Sequence, residues 1–115
     1  MADTLREEVT RLHAQICSGL ADPNRILIIY SLAGGSCNVT EIAATVDLPQ
    51  PTVSRHLKIL RERGIVRSSR DGQTINYQLC DQRVVQALYL LRATLCDMLK
   101  DQAALAQQVK ESKPF

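Results

Sequence analysis

The stretch NVTEIAATVDLPQPTVSRHLKILRERG, from Asn38 to Gly64, leaves this chain fewer folding options than any other part of it. Val39, Ile42, Ala43 and Val46 recur at helical spacing, and Asn38 followed by Glu41 is a capping-box pattern at the start of that helix. Pro49 disfavours the α region for Leu48 and has no amide proton, so Asp47-Leu48-Pro49 breaks the helix. Proline is tolerated in a first turn, which lets a second helix start near Gln50 or Pro51. Val53, Leu57 and Leu60 fall at i, i+4 and i+7 and give that helix a buried seam, and Gly64 ends it. Two short helices joined by a tight turn over residues 38–64 read as a helix-turn-helix.

The seam leaves Gln50, Thr52, Ser54, Arg55 and Lys58 pointing outward, with Arg61 further along. These side chains hydrogen-bond base edges and phosphates, and a helix is the element that fits the major groove of DNA. An ordinary solvated helix face has the same composition, so the next segment decides between the two. IVRSSRDGQTINYQL, residues 65–79, alternates as a hairpin does: Ile65, Arg67 and Ser69 share one face and Val66 and Ser68 the other, with Asp71-Gly72 as the turn. A basic hairpin directly after a helix-turn-helix is a wing. Arg67, Arg70, Gln73 and Asn76 are its candidate DNA contacts, against the alternative of a solvated tip.

Net charge is only +2, too mild to imply nucleic acid by itself. Its distribution says more: between Gln50 and Gln73, six basic residues stand against Glu62 and Asp71, a local +4, so the remainder carries −2. With 115 residues, 45% of them hydrophobic, the chain suffices for a single domain, residues 1–115. One Phe and no Trp argue against a stacking platform for single-stranded nucleic acid. No apolar run approaches the roughly 20 residues of a membrane span, and MADTLREEVTR lacks the layout of a secretory signal, so no membrane partner and a cytoplasmic location are expected. Cys17, Cys37, Cys80 and Cys96 are widely spaced without a C-x-x-C, and in a reducing compartment they are expected as free thiols. No His or acid lies at a recognisable spacing from a Cys and no glycine-rich phosphate loop occurs, so the chain does not read as an enzyme.

Two helical stretches precede this centre and one follows it. Leu5, Val9, Leu12, Ile16 and Leu20 give residues 4–20 an apolar face. Asp22-Pro23 opens the next helix, apolar on nearly all sides through Leu32 and stopped by Gly34-Gly35. The last helix, expected over 81–110, carries Val84, Val85, Leu88, Leu91, Leu95, Met98 and Leu99 as a stripe, widened by Leu90. A chain this small cannot cover all of it. The expected fold is therefore mainly α with a small β-hairpin, a winged helix-turn-helix in the order α-α-α-α-β-β-α, forming a homodimer through its first and last helices. Two recognition helices about one DNA turn apart then read a palindrome. The closing KESKPF is polar and expected to fray.

Three strings in order, LADPNRILIIYSLAGG, VTEIAATVDLPQPTVSRHLKILRERGIV and GQTINYQL, together resemble the ArsR/SmtB family of small dimeric winged-helix repressors, over roughly Leu20 to Leu99. The resemblance implies a repressor that binds double-stranded operator DNA as a homodimer and leaves it when a metal ion, metalloid or thiol-reactive signal binds, with Gln50, Thr52, Ser54, Arg55 and Lys58 on the recognition helix. Pro49 departs from the family's usual Ser at the start of that helix. The family's C-V-C-D-L box lines up with Asn38-Val39-Thr40-Glu41-Ile42, where both cysteines are lost and Cys37 falls one residue early. Of the family's zinc site on the last helix Asp81 survives, while Arg83, Leu95 and Met98 occupy the other places.

Neither standard metal site is present, and no resident cofactor is implied. Antiparallel pairing of two last helices about Leu88 sets Cys80 of one subunit beside Cys96 of the other, since the two are equidistant from it in sequence. Such a thiol pair, with Cys17 as a third ligand, suits trivalent arsenic or another soft ion, and equally suits oxidation or a polysulfide bridge. Each cysteine is alternatively a small buried hydrophobe. A winged-helix module that binds protein, without an effector, is the remaining alternative. It differs from a repressor in predicting salt-insensitive binding and no DNA affinity.

Overall fold

The computed structural model describes residues 2–111, and the side chains of residues 3–108; the last four residues of KESKPF lie outside the described residues. The chain divides into two compact units, one ending at Gln82 and one beginning at Arg83.

In the first unit, α1 (Ala2–Leu12) passes without a break into a π turn (His13–Cys17) and a 3₁₀ turn (Ser18–Leu20). The helical run expected over 4–20 is therefore present, but its last two turns depart from α geometry. Asp22 caps α2 (Pro23–Ser31) by accepting from the Asn24 amide at 2.8 Å, with Pro23 in the first turn. This helix stops at Ser31, short of Gly34-Gly35, and a turn follows. Arg25 ties it back to the preceding segment, its Nε donating to the Gly19 carbonyl at 2.7 Å.

The helix-turn-helix consists of α3 (Val39–Val46) and α4 (Gln50–Glu62). At the start of α3 the capping box is complete: Asn38 Oδ1 accepts from the Glu41 amide at 2.9 Å, and Glu41 Oε1 accepts from the Asn38 amide at 3.0 Å. The turn depends on Asp47, the one non-glycine residue with positive φ (56°) among the described residues. Asp tolerates the left-handed region better than most side chains, and the Leu48 amide then closes on the Ala43 carbonyl at 3.2 Å. Pro49 occupies the N-cap of α4 and gives no side-chain cap, as its replacement of Ser requires. Gly64, at φ +76°, ends α4 in a Schellman arrangement, with Ile65 N bonded to Leu60 O at 2.9 Å and Gly64 N to Arg61 O at 3.0 Å.

The wing pairs β2 (Val66–Asp71) with β3 (Thr74–Leu79), so its two loop residues are Gly72 and Gln73, with Asp71 still in register opposite Thr74. A short strand not expected from the sequence, β1 (Cys37–Asn38), adds to the other side of β3, with Cys37 opposite Tyr77 and Asn38 opposite Asn76. The sheet order is β1-β3-β2. α2, α3 and α4 pack on one another, and Ile28, Ile29, Ile42, Val53, Leu57 and Leu60 are fully buried. Ile65, Val66 and Leu79 continue this core into the base of the wing.

The second unit is α5 (Arg83–Glu111). It starts two residues later than the sequence reading placed it. Tyr89, Leu90, Leu91, Leu95, Met98, Leu99 and Leu105 are each more than half exposed on it. No helix among the described residues is long and apolar enough to cross a membrane.

Candidate nucleic-acid interface

Burial of Val53, Leu57 and Leu60 fixes the rotation of α4, and that rotation decides what the helix shows to solvent. Gln50, Ser54 and Lys58 follow at four-residue steps along one exposed line, with Arg55 beside it, also exposed. Thr52 differs from these: it is half-buried, and its Oγ1 accepts from Arg55 Nη2 at 3.4 Å. Gln50 is held as well, its Nε2 donating to Thr40 Oγ1 on α3 at 3.3 Å. The N-terminus of α4, the positive end of its dipole, has no side-chain cap.

The basic residues after Ser54 divide into two groups. Arg55, Lys58, Arg61, Arg67 and Arg70 are exposed, and Arg63 is half-buried. Arg63 is turned away from this face; its guanidinium donates to the Ala14 carbonyl and Ser18 Oγ, while Gln15 Nε2 donates to the Arg63 carbonyl at 3.1 Å. It fastens the end of α4 to the π turn. Arg61 reaches Ser68 Oγ of β2 at 3.4 Å and so braces the wing. Part of the local +4 is therefore structural.

On the wing, Arg67 and Arg70 lie an odd number of residues apart on one strand and point to opposite faces. Arg67 stands opposite Gln78, whose amide oxygen, in the orientation that satisfies both groups, accepts from Arg67 Nη2 at 2.8 Å. Arg70 stands opposite the exposed Ile75 near the tip, and Gln73 occupies the exposed loop. Asn76, a further candidate from the sequence, is half-buried between Ser69 and Asn38 in the sheet.

None of the four cysteines is in a disulfide. Cys17 is exposed on the π turn, Cys80 is exposed just after β3, and Cys96 is exposed on α5. Cys80 lies before α5 begins, so equal spacing about Leu88 does not by itself set it on a helix facing Cys96. Cys37 is half-buried on β1, with its Sγ 3.7 Å from the Ser31 carbonyl; burial, and after it the Glu41 carboxylate, push its thiol pKa up. Among the described residues no group of three or more His, Cys, Asp or Glu could hold a metal ion.

The family model for the bacterial regulatory proteins of the ArsR family matches residues 22–68, which span α2, the helix-turn-helix and the start of the wing. NolR from Sinorhizobium fredii, a solved structure, is 34% identical with a TM-score of 0.68, over 77% of this chain and 89% of that one. The chain belongs to the ArsR family. Within that family, the biofilm growth-associated repressor of Agrobacterium fabrum is 38% identical over 77 residues. That match covers 67% of this chain and 66% of the relative, so just under two thirds of the relative's length is spanned. The homodimeric winged helix-turn-helix DNA-binding domain Mb0332 of Mycobacterium bovis is 25% identical with a TM-score of 0.69, over 87% of this chain and 89% of that one. These ArsR-family relatives are regulators rather than enzymes.

Two features have no signal in the sequence: Thr40, which the fold puts against Gln50, and β1, which anchors the start of α3 to the wing. A two-residue strand is too short to show a period, and a contact across a turn leaves no trace in either helix's own spacing.

Proposed function

We propose that this ArsR-family chain is a cytoplasmic transcriptional repressor that binds operator DNA as a homodimer. The observation that carries the reading is the exposed line Gln50, Ser54, Arg55 and Lys58, on a helix whose opposite side is fully buried. Such a face is rigid, polar and basic, and it fits a major groove. Arg70 and Gln73 extend it onto the wing tip. The exposed apolar stripe of α5 supports a second copy as its cover, as does the homodimeric state of the similar Mb0332 domain.

The effector reading is that a thiol-reactive species releases the DNA, either trivalent arsenic or another soft ion held by thiolates, or a reactive sulfur species that oxidises them. The exposed Cys80, Cys96 and Cys17 support it, since accessible thiols react. Cys37 does not, because its thiolate is disfavoured. With no donor cluster among the described residues of one chain, a coordinating site would draw on two.

The test is fluorescence anisotropy of the full chain on duplex DNA from its own promoter region, titrated separately with arsenite, zinc and an organic polysulfide. Binding is expected to weaken steeply with salt, as release of counterions requires. Release by arsenite alone assigns coordination, and release by polysulfide alone assigns a redox switch. Salt-insensitive capture of a protein with no DNA affinity would replace the whole reading with an interaction module.

A further inference from the structure

Thr40 and Gln50 lie on different helices of the helix-turn-helix, and both are exposed. α3 and α4 pack on each other, with Ile42, Val53 and Leu57 fully buried, whereas at the surface Gln50 Nε2 donates to Thr40 Oγ1 at 3.3 Å. Gln50 sits between Pro49 and Pro51, whose rings fix φ on either side of it. Gln50 itself is the first residue of α4, and its side-chain torsions are restrained by the bond to the Thr40 hydroxyl.

A glutamine reads adenine in the major groove through two bonds in one plane, one donated by its nitrogen and one accepted by its oxygen. The Gln50 amide nitrogen carries two hydrogens, so the bond to Thr40 leaves one hydrogen and the oxygen for a base. The Thr40 hydroxyl, while accepting from Gln50, keeps its own O–H as a donor, and threonine hydroxyls are among the groups that bind phosphate oxygens.

We propose that Thr40 is a positioning residue for base readout: its hydroxyl sets the plane of the Gln50 amide before DNA arrives, and donates to the phosphate flanking the base pair that Gln50 reads. The inference rests on the DNA-binding reading above. Losing the restraint weakens discrimination at that base pair by about two- to tenfold, the cost of ordering one such side chain expressed as an affinity ratio.

The experiment selects duplexes with a randomised core against the full chain and compares wild type with Thr40→Val, Thr40→Ser and Gln50→Ala. Melting curves serve as the control for folding. Gln50→Ala is expected to erase the preference at one step in each half-site. Thr40→Val, which keeps the shape and removes the hydroxyl, weakens preference at that same step, and Thr40→Ser restores it. The double variant Thr40→Val/Gln50→Ala shows no further loss of preference there.

Wild-type preference retained in Thr40→Val, equal loss in Thr40→Ser, or no step erased by Gln50→Ala each overturns the proposal while the DNA-binding reading stands. A wild-type chain that enriches no sequence overturns the DNA-binding reading and this one with it.

Discussion

α4 and α5 are both built on leucines at helical spacing, yet α4 and the part of α5 beyond Leu88 end in opposite states. Every seam residue of α4, Val53, Leu57 and Leu60, is fully buried within the chain, which sets the helix's rotation and presents a defined polar face. On α5 the leucines from Leu90 to Leu105 remain more than half exposed. Burying one such side chain is worth roughly 1.5–3 kcal/mol, so an uncovered row of them is a strong drive toward association. The contrast teaches that an apolar stripe specifies that a helix will be covered, and the rest of the chain decides by what. α4 is a finished surface, and on our reading α5 is half of one.

The largest effect is expected where the cover is complete. Leu57→Ala should destabilise the chain by about 2–5 kcal/mol in urea denaturation, because the site is fully buried and leaves a cavity. A loss below about 1 kcal/mol would show that the seam is not the core.

On α5 the same truncation logic gives a different readout. Leu95→Lys introduces a charge into the exposed stripe and should halve the particle mass in sedimentation, with the secondary structure retained. An unchanged mass would remove α5 from the dimer contact.

A pair of arginines separates surface from scaffold within the α4 region. Arg55→Ala should weaken DNA binding by about 1–3 kcal/mol, or roughly 5- to 150-fold, with little change in stability. Arg63→Ala removes the bonds to Ala14 and Ser18 and should instead lower stability by about 1 kcal/mol, with DNA affinity little changed. Interchanged phenotypes would mean that the two residues have been given each other's roles.

The smallest effect concerns Cys37. In timed alkylation of the native chain at pH 8, Cys37 should react last and Cys17, Cys80 and Cys96 ahead of it. Its pKa is raised in the fold, so its contribution to stability is intact below the ordinary thiol range, about 8.5, and is lost as pH rises through that range toward the folded value. Cys37→Ser should flatten that slope, and an unchanged slope would exclude this thiol as its source.

Much of the fold was legible because its signals are local. The Asn38–Glu41 box, the break at Pro49, Gly64 and the alternating wing each act within a few residues, and all are present in the structure. The candidate site was less legible. Thr52, Arg61, Arg63 and Arg67 have the chemistry of DNA contacts, and each also has a hydrogen-bond partner within the chain: Arg55, Ser68, the π turn and Gln78 respectively. Composition records that a side chain can donate a hydrogen bond, not which acceptor lies nearest.

By itself, then, the sequence determined the helices and the wing, their order and the buried seam of α4, because capping, proline sterics and hydrophobic period depend on neighbours along the chain. Tertiary structure alone decided the left-handed turn at Asp47, the third strand beside β3, the use of Arg61 and Arg63 as braces, and the link from Thr40 to Gln50. Each of these depends on groups distant in sequence, or on a backbone angle that several residue types tolerate, and so becomes definite only when the helices pack.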